Sequence, residues 1–172
     1  NDRKQYEGFW NDISLFIKYG CMKDEKFYDK IKDSLIYKTT DGDFKTLEEY
    51  LEKNKEKHEN KVFYVSDETQ QAQYVNMLKA EGMEAIILAS PIDVNFVSFL
   101  EYKSLGKVAF ARVDADISET LKNKDAANDE KLADEMQNLF RMALDNKDLN
   151  VKTESLKADN VSSMMLLSEQ SR

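Results

Sequence analysis

The apolar positions of this chain recur with two different periods. From Tyr6 to Tyr19 the set Tyr6, Phe9, Trp10, Ile13, Phe16 and Ile17 repeats every three to four residues, which predicts an amphipathic helix that Gly20 is placed to end. Phe27, Ile31, Leu35 and Ile36 continue at helical spacing and predict a second helix. Turn formers then fill the stretch from Tyr37 to Phe44, with Asp41-Gly42 at the positive-φ position of a tight link. Thr46-Leu47-Glu48-Glu49 has the spacing of a capping box, so a third helix is expected to begin after Thr46 and to bury Leu47, Tyr50 and Leu51.

Beyond residue 61 the pattern shortens. Val62–Val65 and Ala85–Leu88 are compact apolar runs rich in β-branched and aromatic residues, and both read as interior strands. Between them Ala72, Val75, Met77 and Leu78 mark a helix that Gly82 stops. Strand, helix and strand in so short a span form a βαβ crossover, which implies parallel pairing. Pro91-Ile92-Asp93 then turns into a helix from Val94 to Tyr102, with Asp93 as its expected N-cap. That helix carries Val94, Phe96, Val97, Phe99 and Leu100, more apolar positions than one narrow stripe holds, so part of this surface is a candidate for contact with another partner. After Gly106, the alternation from Lys107 to Val113 predicts a third strand.

The polar stretch from Asp114 to Asp129 marks a boundary. A further helix is expected from Glu130 to Leu144, followed by strands over Leu149–Leu156 and Ser162–Leu167. The expected architecture is mixed α+β and α/β: a small three-helix layer over residues 1–60, a βαβ-containing αβα unit over 61–115, a linker over 116–124, and the start of a second α+β unit over 125–172. The Met164-Met165-Leu166-Leu167 run near the end exposes a strand edge if nothing covers it, and self-association through Ser162–Leu167 is expected. The chain begins at Asn1 and reads as a piece of something longer.

Composition narrows the function. The formal net charge of −8, with 34% of residues charged, disfavours a nucleic-acid or membrane surface, since phosphate binding needs a basic stripe. The basic cluster at 53–61 is interleaved with glutamates and reads as a solvated helix end. One cysteine, Cys21, cannot form an internal disulfide and fits a reducing, cytoplasmic setting.

Catalytic chemistry is sparse. His58 is the only histidine and lacks a partner at metal-ligand spacing, Cys21 lacks a histidine to activate it, and pairs such as Asp114/Asp116 arise from composition alone. After Val65 come Ser66, Asp67 and Glu68, two carboxylates and no glycine, which is unsuited to a phosphate. No catalytic, cofactor or metal residue is therefore expected in this segment. Two readings stay open on the residues: a segment that contacts other proteins, and a free-standing α/β module binding a small ligand or protein at the strand ends.

The ordered set YEGFWNDISLFIKYG, LIYKTTDGDFKTLEEYLEKNKE, KVFYVSDET, EGMEAIIL with the PID turn, GKVAFARV, and LFRMALDNKDLNVKTESL continuing to SSMMLLSEQSR resembles the ninety-kilodalton heat-shock-protein chaperone family, bacterial members above all. The resemblance implies that residues 1–115 are the C-terminal half of the middle domain and that 125–172 begin the C-terminal dimerisation domain. It also implies a parent that is a homodimeric, ATP-dependent cytoplasmic chaperone of the stress response. ATP and magnesium would sit in an N-terminal domain outside this segment, and the partners would be non-native client proteins. In the family the helix after the PID turn faces client proteins, and bacterial relatives place an acidic residue and a tryptophan directly after the aspartate. Those positions here are Val94 and Asn95, with Ser98 three residues further on, and Phe96 or Phe99 is expected to supply the apolar contact.

Overall fold

A computed structural model describes residues 2–115 and 130–153, which belong to two separate units. In the first, α1 (Arg3–Lys23) is followed by α2 (Glu25–Ile31), a 3-10 turn (Lys32–Ser34), the strands β1 (Ile36–Lys38) and β2 (Phe44–Thr46), and α3 (Leu47–Asn54). Then come β3 (Lys61–Val65), α4 (Ala72–Ala80), β4 (Ile86–Ile87), α5 (Asp93–Lys103) and β5 (Ala109–Arg112). The second unit contains α6 (Glu130–Ala143).

Strands β4, β3 and β5 form a parallel sheet in that order, with Tyr64 opposite Ile86 and Val62 opposite Phe110. The chain leaves β3 to one neighbour through α4 and crosses back to the other through α5. Val62, Phe63 and Val65 are fully buried, as a central strand covered on both faces requires. Gly82 has φ +65°, the left-handed conformation expected of a residue that ends α4.

The first 54 residues share one core with this sheet, helices contributing Trp10, Cys21 and Tyr50, and the β1 segment Leu35, Ile36 and Tyr37. Thr46 caps α3 as its spacing predicts: Glu49 N–H donates to Thr46 Oγ1 (3.2 Å), and Thr46 N–H donates to the Glu49 carboxylate (2.7 Å). Arg3 donates to the same Glu49 carboxylate (2.8 Å), tying the start of α1 to α3.

Some local expectations are overturned. Gly20 does not end α1, which runs on to Lys23 and is closed by Asp24 N–H bonding to Gly20 O (2.9 Å). The glycine serves packing instead: a Cβ there would lie 3.0 Å from the Phe27 ring. Leu35 and Ile36 are not helical. Ile36 opens β1, and the turn with Gly42 at φ +92° closes an antiparallel hairpin with Ile36 opposite Thr46. The hairpin docks on the β4 segment through a Thr39–Ile86 bridge and Thr40 N–H to Ala85 O (2.8 Å). The basic stretch is not wholly solvated, because Asn54 and His58 are buried beneath it.

Helix α6 has the expected span, and its apolar side chains Leu132, Leu139, Phe140 and Met142 are exposed. Residues 149–153 form no strand; instead they run beside α6, with Arg141 Nε donating to Leu149 O (2.7 Å) and Val151 N–H to Gln137 Oε1 (3.3 Å). The rest of that expected strand, the 116–124 linker and Ser162–Leu167 lie outside the described residues.

Candidate functional site

Helix α5 is fixed from three sides. At its start, Asp93 is 3% exposed and accepts from Lys18 Nζ of α1 at 2.5 Å and from Ser90 N–H at 2.9 Å. Asp93 is therefore not the N-cap expected from the sequence; it lies in the first turn, with Ile92 at the cap position, and its carboxylate points to α1 and back to the turn. In the middle, Phe96, Val97 and Leu100 are buried, with Phe96 stacked on Phe99 at 6.0 Å and Lys18 Nζ 5.9 Å from the Phe96 ring. At its end, Glu101 accepts from Phe110 N–H of β5 (2.9 Å), while Lys103 pairs with Glu25 (3.1 Å) and lies over the rings of Tyr28 and Phe99.

These contacts use every charge on the helix. Its charged residues are Asp93, Glu101 and Lys103, and all three are turned to neighbouring elements. What remains outside is Val94, Asn95, Ser98 and Tyr102, a face without a formal charge in a chain with 25 basic and 33 acidic residues. Such a face loses little hydration energy when another protein covers it, because no ion has to be stripped of water.

Of the contact residues expected from the sequence, Val94, Asn95 and Ser98 are exposed together, and Val94 keeps 45% of its surface. Phe99 is half-buried against Tyr28 and Phe96. Phe96 is a correction: at 1% exposure it belongs to the core and offers nothing to a partner. The sequence reading missed Tyr102, 71% exposed, and Leu105, 83% exposed just beyond the helix. Their signal was spacing, since Tyr102 is seven residues after Asn95 and eight after Val94, two turns along the same side.

The other candidates are occupied by the fold. At the carboxyl ends of β3 and β5 an open cleft of about 310 Å³ is lined by Ser66, Asp67, Gln70, Gln71, Tyr74, Arg112 and Asp114, where parallel sheets commonly bind ligands. Gln71 Oε1 already accepts from the N–H groups of Ser66 (2.8 Å) and Asp67 (3.1 Å), the donors an anion would use, and Arg112 Nε pairs with Asp114 (2.5 Å). Burial pushes the Cys21 thiol up to about 11, so it is not a thiolate at neutral pH. His58 packs edge-on to Phe63 with Nδ1 2.8 Å from Lys61 O, and burial lowers its pKa. Among the described residues, no group of three or more His, Cys, Asp or Glu is placed to hold a metal ion, and no helix is long and apolar enough to cross a membrane.

The fold of this chain resembles that of the middle domain of a Plasmodium falciparum heat shock protein. That structure matches with a TM-score of 0.52 at 22% identity over 66% of this chain and 49% of that one. The model of the Hsp90 protein family matches residues 1–168, and the chain belongs to that family. Among its relatives are the chaperone protein HtpG of Bacteroides fragilis, 32% identical over 96% of this chain and 26% of that protein, and HtpG of Porphyromonas gingivalis, 32% identical over 92% and 25%. Heat shock protein 90-6, mitochondrial, of Arabidopsis thaliana is 28% identical over 73% of this chain and 16% of that protein. The chain thus spans about a quarter of the length of the bacterial relatives.

Proposed function

We propose that this chain is a segment of an ATP-driven chaperone that contributes client contact and inter-domain coupling, and that it has no catalytic activity by itself. The observation that carries the reading is the uncharged outer face of α5, Val94, Asn95, Ser98 and Tyr102, held out by a helix whose own charges all point inward. Membership of the Hsp90 family and similarity to the HtpG chaperones support it. Non-native polypeptides are the proposed partners, the parent is a cytoplasmic homodimer, and ATP and magnesium belong to a domain outside this chain. Residues 1–115 are the C-terminal half of the middle domain and 125–172 the start of the dimerisation domain. Residues 162–167, apolar in sequence, are the candidate for association between copies of this segment.

Binding of fluorescently labelled, reduced and carboxymethylated α-lactalbumin, a permanently non-native polypeptide, tests the reading by anisotropy. The variant with Asn95→Glu and Ser98→Glu should bind at least fivefold more weakly with an unchanged circular dichroism spectrum. Both positions are exposed on α5 and glutamate is a good helix former, so the fold is retained. Equal affinity of the two proteins would rule the face out.

A further inference from the structure

The outer side of α1 is apolar where the described residues leave it open. Leu15 (47% exposed), Phe16 (73%) and Tyr19 (55%) lie there with Phe9 (53%), while the inner side of the same helix buries Trp10, Lys18 and Cys21. Gly8 stands on the outer side too, in the interior of a 21-residue helix, where glycine costs stability that alanine does not. A Cβ at Gly8 would meet nothing within 4 Å, so no contact among the described residues calls for a glycine. Asp12, exposed between Gly8 and Leu15, has no ion pair among the described residues.

These positions have an order. Gly8, Asp12, Leu15 and Tyr19 follow one another at four, three and four residues, the alternation by which one helix seats another, and Phe9 and Phe16 flank that seam seven residues apart. Bare backbone at Gly8 lets a second helix come close, and Leu15 and Tyr19 give its apolar side chains something to pack against. One polar residue within such a seam fixes the register, and the Asp12 carboxylate does so by accepting from a facing cation or amide.

We infer that the outer side of α1 seats a helix from the part of the parent protein outside these 172 residues, one with apolar residues at the same spacing and a basic or amide residue opposite Asp12. The chain spans about a quarter of the length of its bacterial relatives, so most of such a protein is available to supply that helix. A large apolar surface on one helix suits a lasting contact better than a passing one. The inference rests on the reading of this chain as a coupling segment and names the surface that couples: Lys18, on the same helix, holds Asp93 at the start of α5.

The test places a cysteine at Tyr19 (Tyr19→Cys) in the 172-residue chain and in the full-length parent and follows its maleimide labelling by mass spectrometry, with Lys79→Cys on exposed α4 as the reference. Cys21 is buried and adds little background. Relative to the reference, labelling at position 19 should be at least tenfold slower in the parent. Adding Gly8→Leu, which fills the close approach, should restore fast labelling in the parent and change nothing in the 172-residue chain. Equal relative rates in the two proteins overturn the inference. A slow rate in the parent that Gly8→Leu leaves unchanged also overturns it, because the cover then does not seat on Gly8. Slow labelling of the 172-residue chain that dilution relieves makes a second copy the occupant and overturns it as well. Binding of carboxymethylated α-lactalbumin at α5 is read separately, so the client reading and the helix seat can each fail alone.

Discussion

Lys18 in α1 and Asp93 at the start of α5, 75 residues apart in sequence, form a buried ion pair at 2.5 Å with side-chain exposures of 8% and 4%. The Asp93 carboxylate also accepts from Ser90 N–H, so one group joins the helical layer, the turn after β4 and the first turn of α5. Through this pair the long first helix sets where the α5 face begins.

Replacing Lys18 by methionine leaves Asp93 buried without its counter-ion. Breaking one side of such a pair typically costs about 3–5 kcal/mol. Urea denaturation followed by circular dichroism should show a loss of that order for Lys18→Met, and a smaller loss when Asp93→Asn is added to it. A double variant less stable than Lys18→Met would contradict this account of the pair.

Tyr50 links α3 to the sheet: its hydroxyl donates to Glu84 O at 2.8 Å and accepts from Phe63 N–H at 3.2 Å, with the ring fully buried. Tyr50→Phe leaves both backbone groups without that partner, a cost of about 1–3 kcal/mol. Chemical denaturation reads it directly, and a variant as stable as the wild type would show that the hydroxyl is dispensable.

His58 gives a pH dependence with a fixed sign. Burial depresses its pKa in the folded chain, and the nearby Lys57 and Lys61 act in the same direction. The unfolded chain, with a histidine pKa of about 6.5, therefore takes up a proton first as pH falls. This contribution is level above about pH 6.5 and turns destabilising below it, until the folded ring titrates as well. Urea midpoints at pH 7.5 and 5.5 should differ more in the wild type than in His58→Gln, and equal differences would remove His58 as the cause.

Much of the fold was legible because it obeys local rules. The Thr46–Glu49 box, the left-handed Gly82 and the β3–α4–β4 crossover each follow from residues within one short window. The misreadings arose where distant partners decide. Gly20 looks like a stop but allows the Phe27 ring to approach, and Ile36 fits a helical period but pairs with Thr46 in a hairpin. Asp93 has the composition of a cap, yet Lys18 claims its carboxylate. On α5 the apolar residues occur all around the helix, so spacing alone could not say that Phe96 faces the core while Tyr102 faces out. That choice is made by α1 and β5, which anchor the helix through Asp93 and Glu101.

Nucleotide chemistry supplies a further check. With the Ser66 and Asp67 N–H groups taken by Gln71 and Arg112 paired with Asp114, the cleft at the strand ends should not hold a triphosphate. Calorimetric titration of magnesium-ATP into this chain is expected to give only heats of dilution. Micromolar binding would place a nucleotide site where the account puts none.

The most direct measurement is the amide spectrum of the nitrogen-15-labelled chain during titration with unlabelled carboxymethylated α-lactalbumin. The account predicts that shifts and line broadening concentrate at Val94, Asn95, Ser98, Tyr102 and Leu105, with residues lining the cleft, such as Asp67 and Gln70, unmoved. Perturbation centred on that cleft or on α3, with the α5 face unchanged, would contradict it.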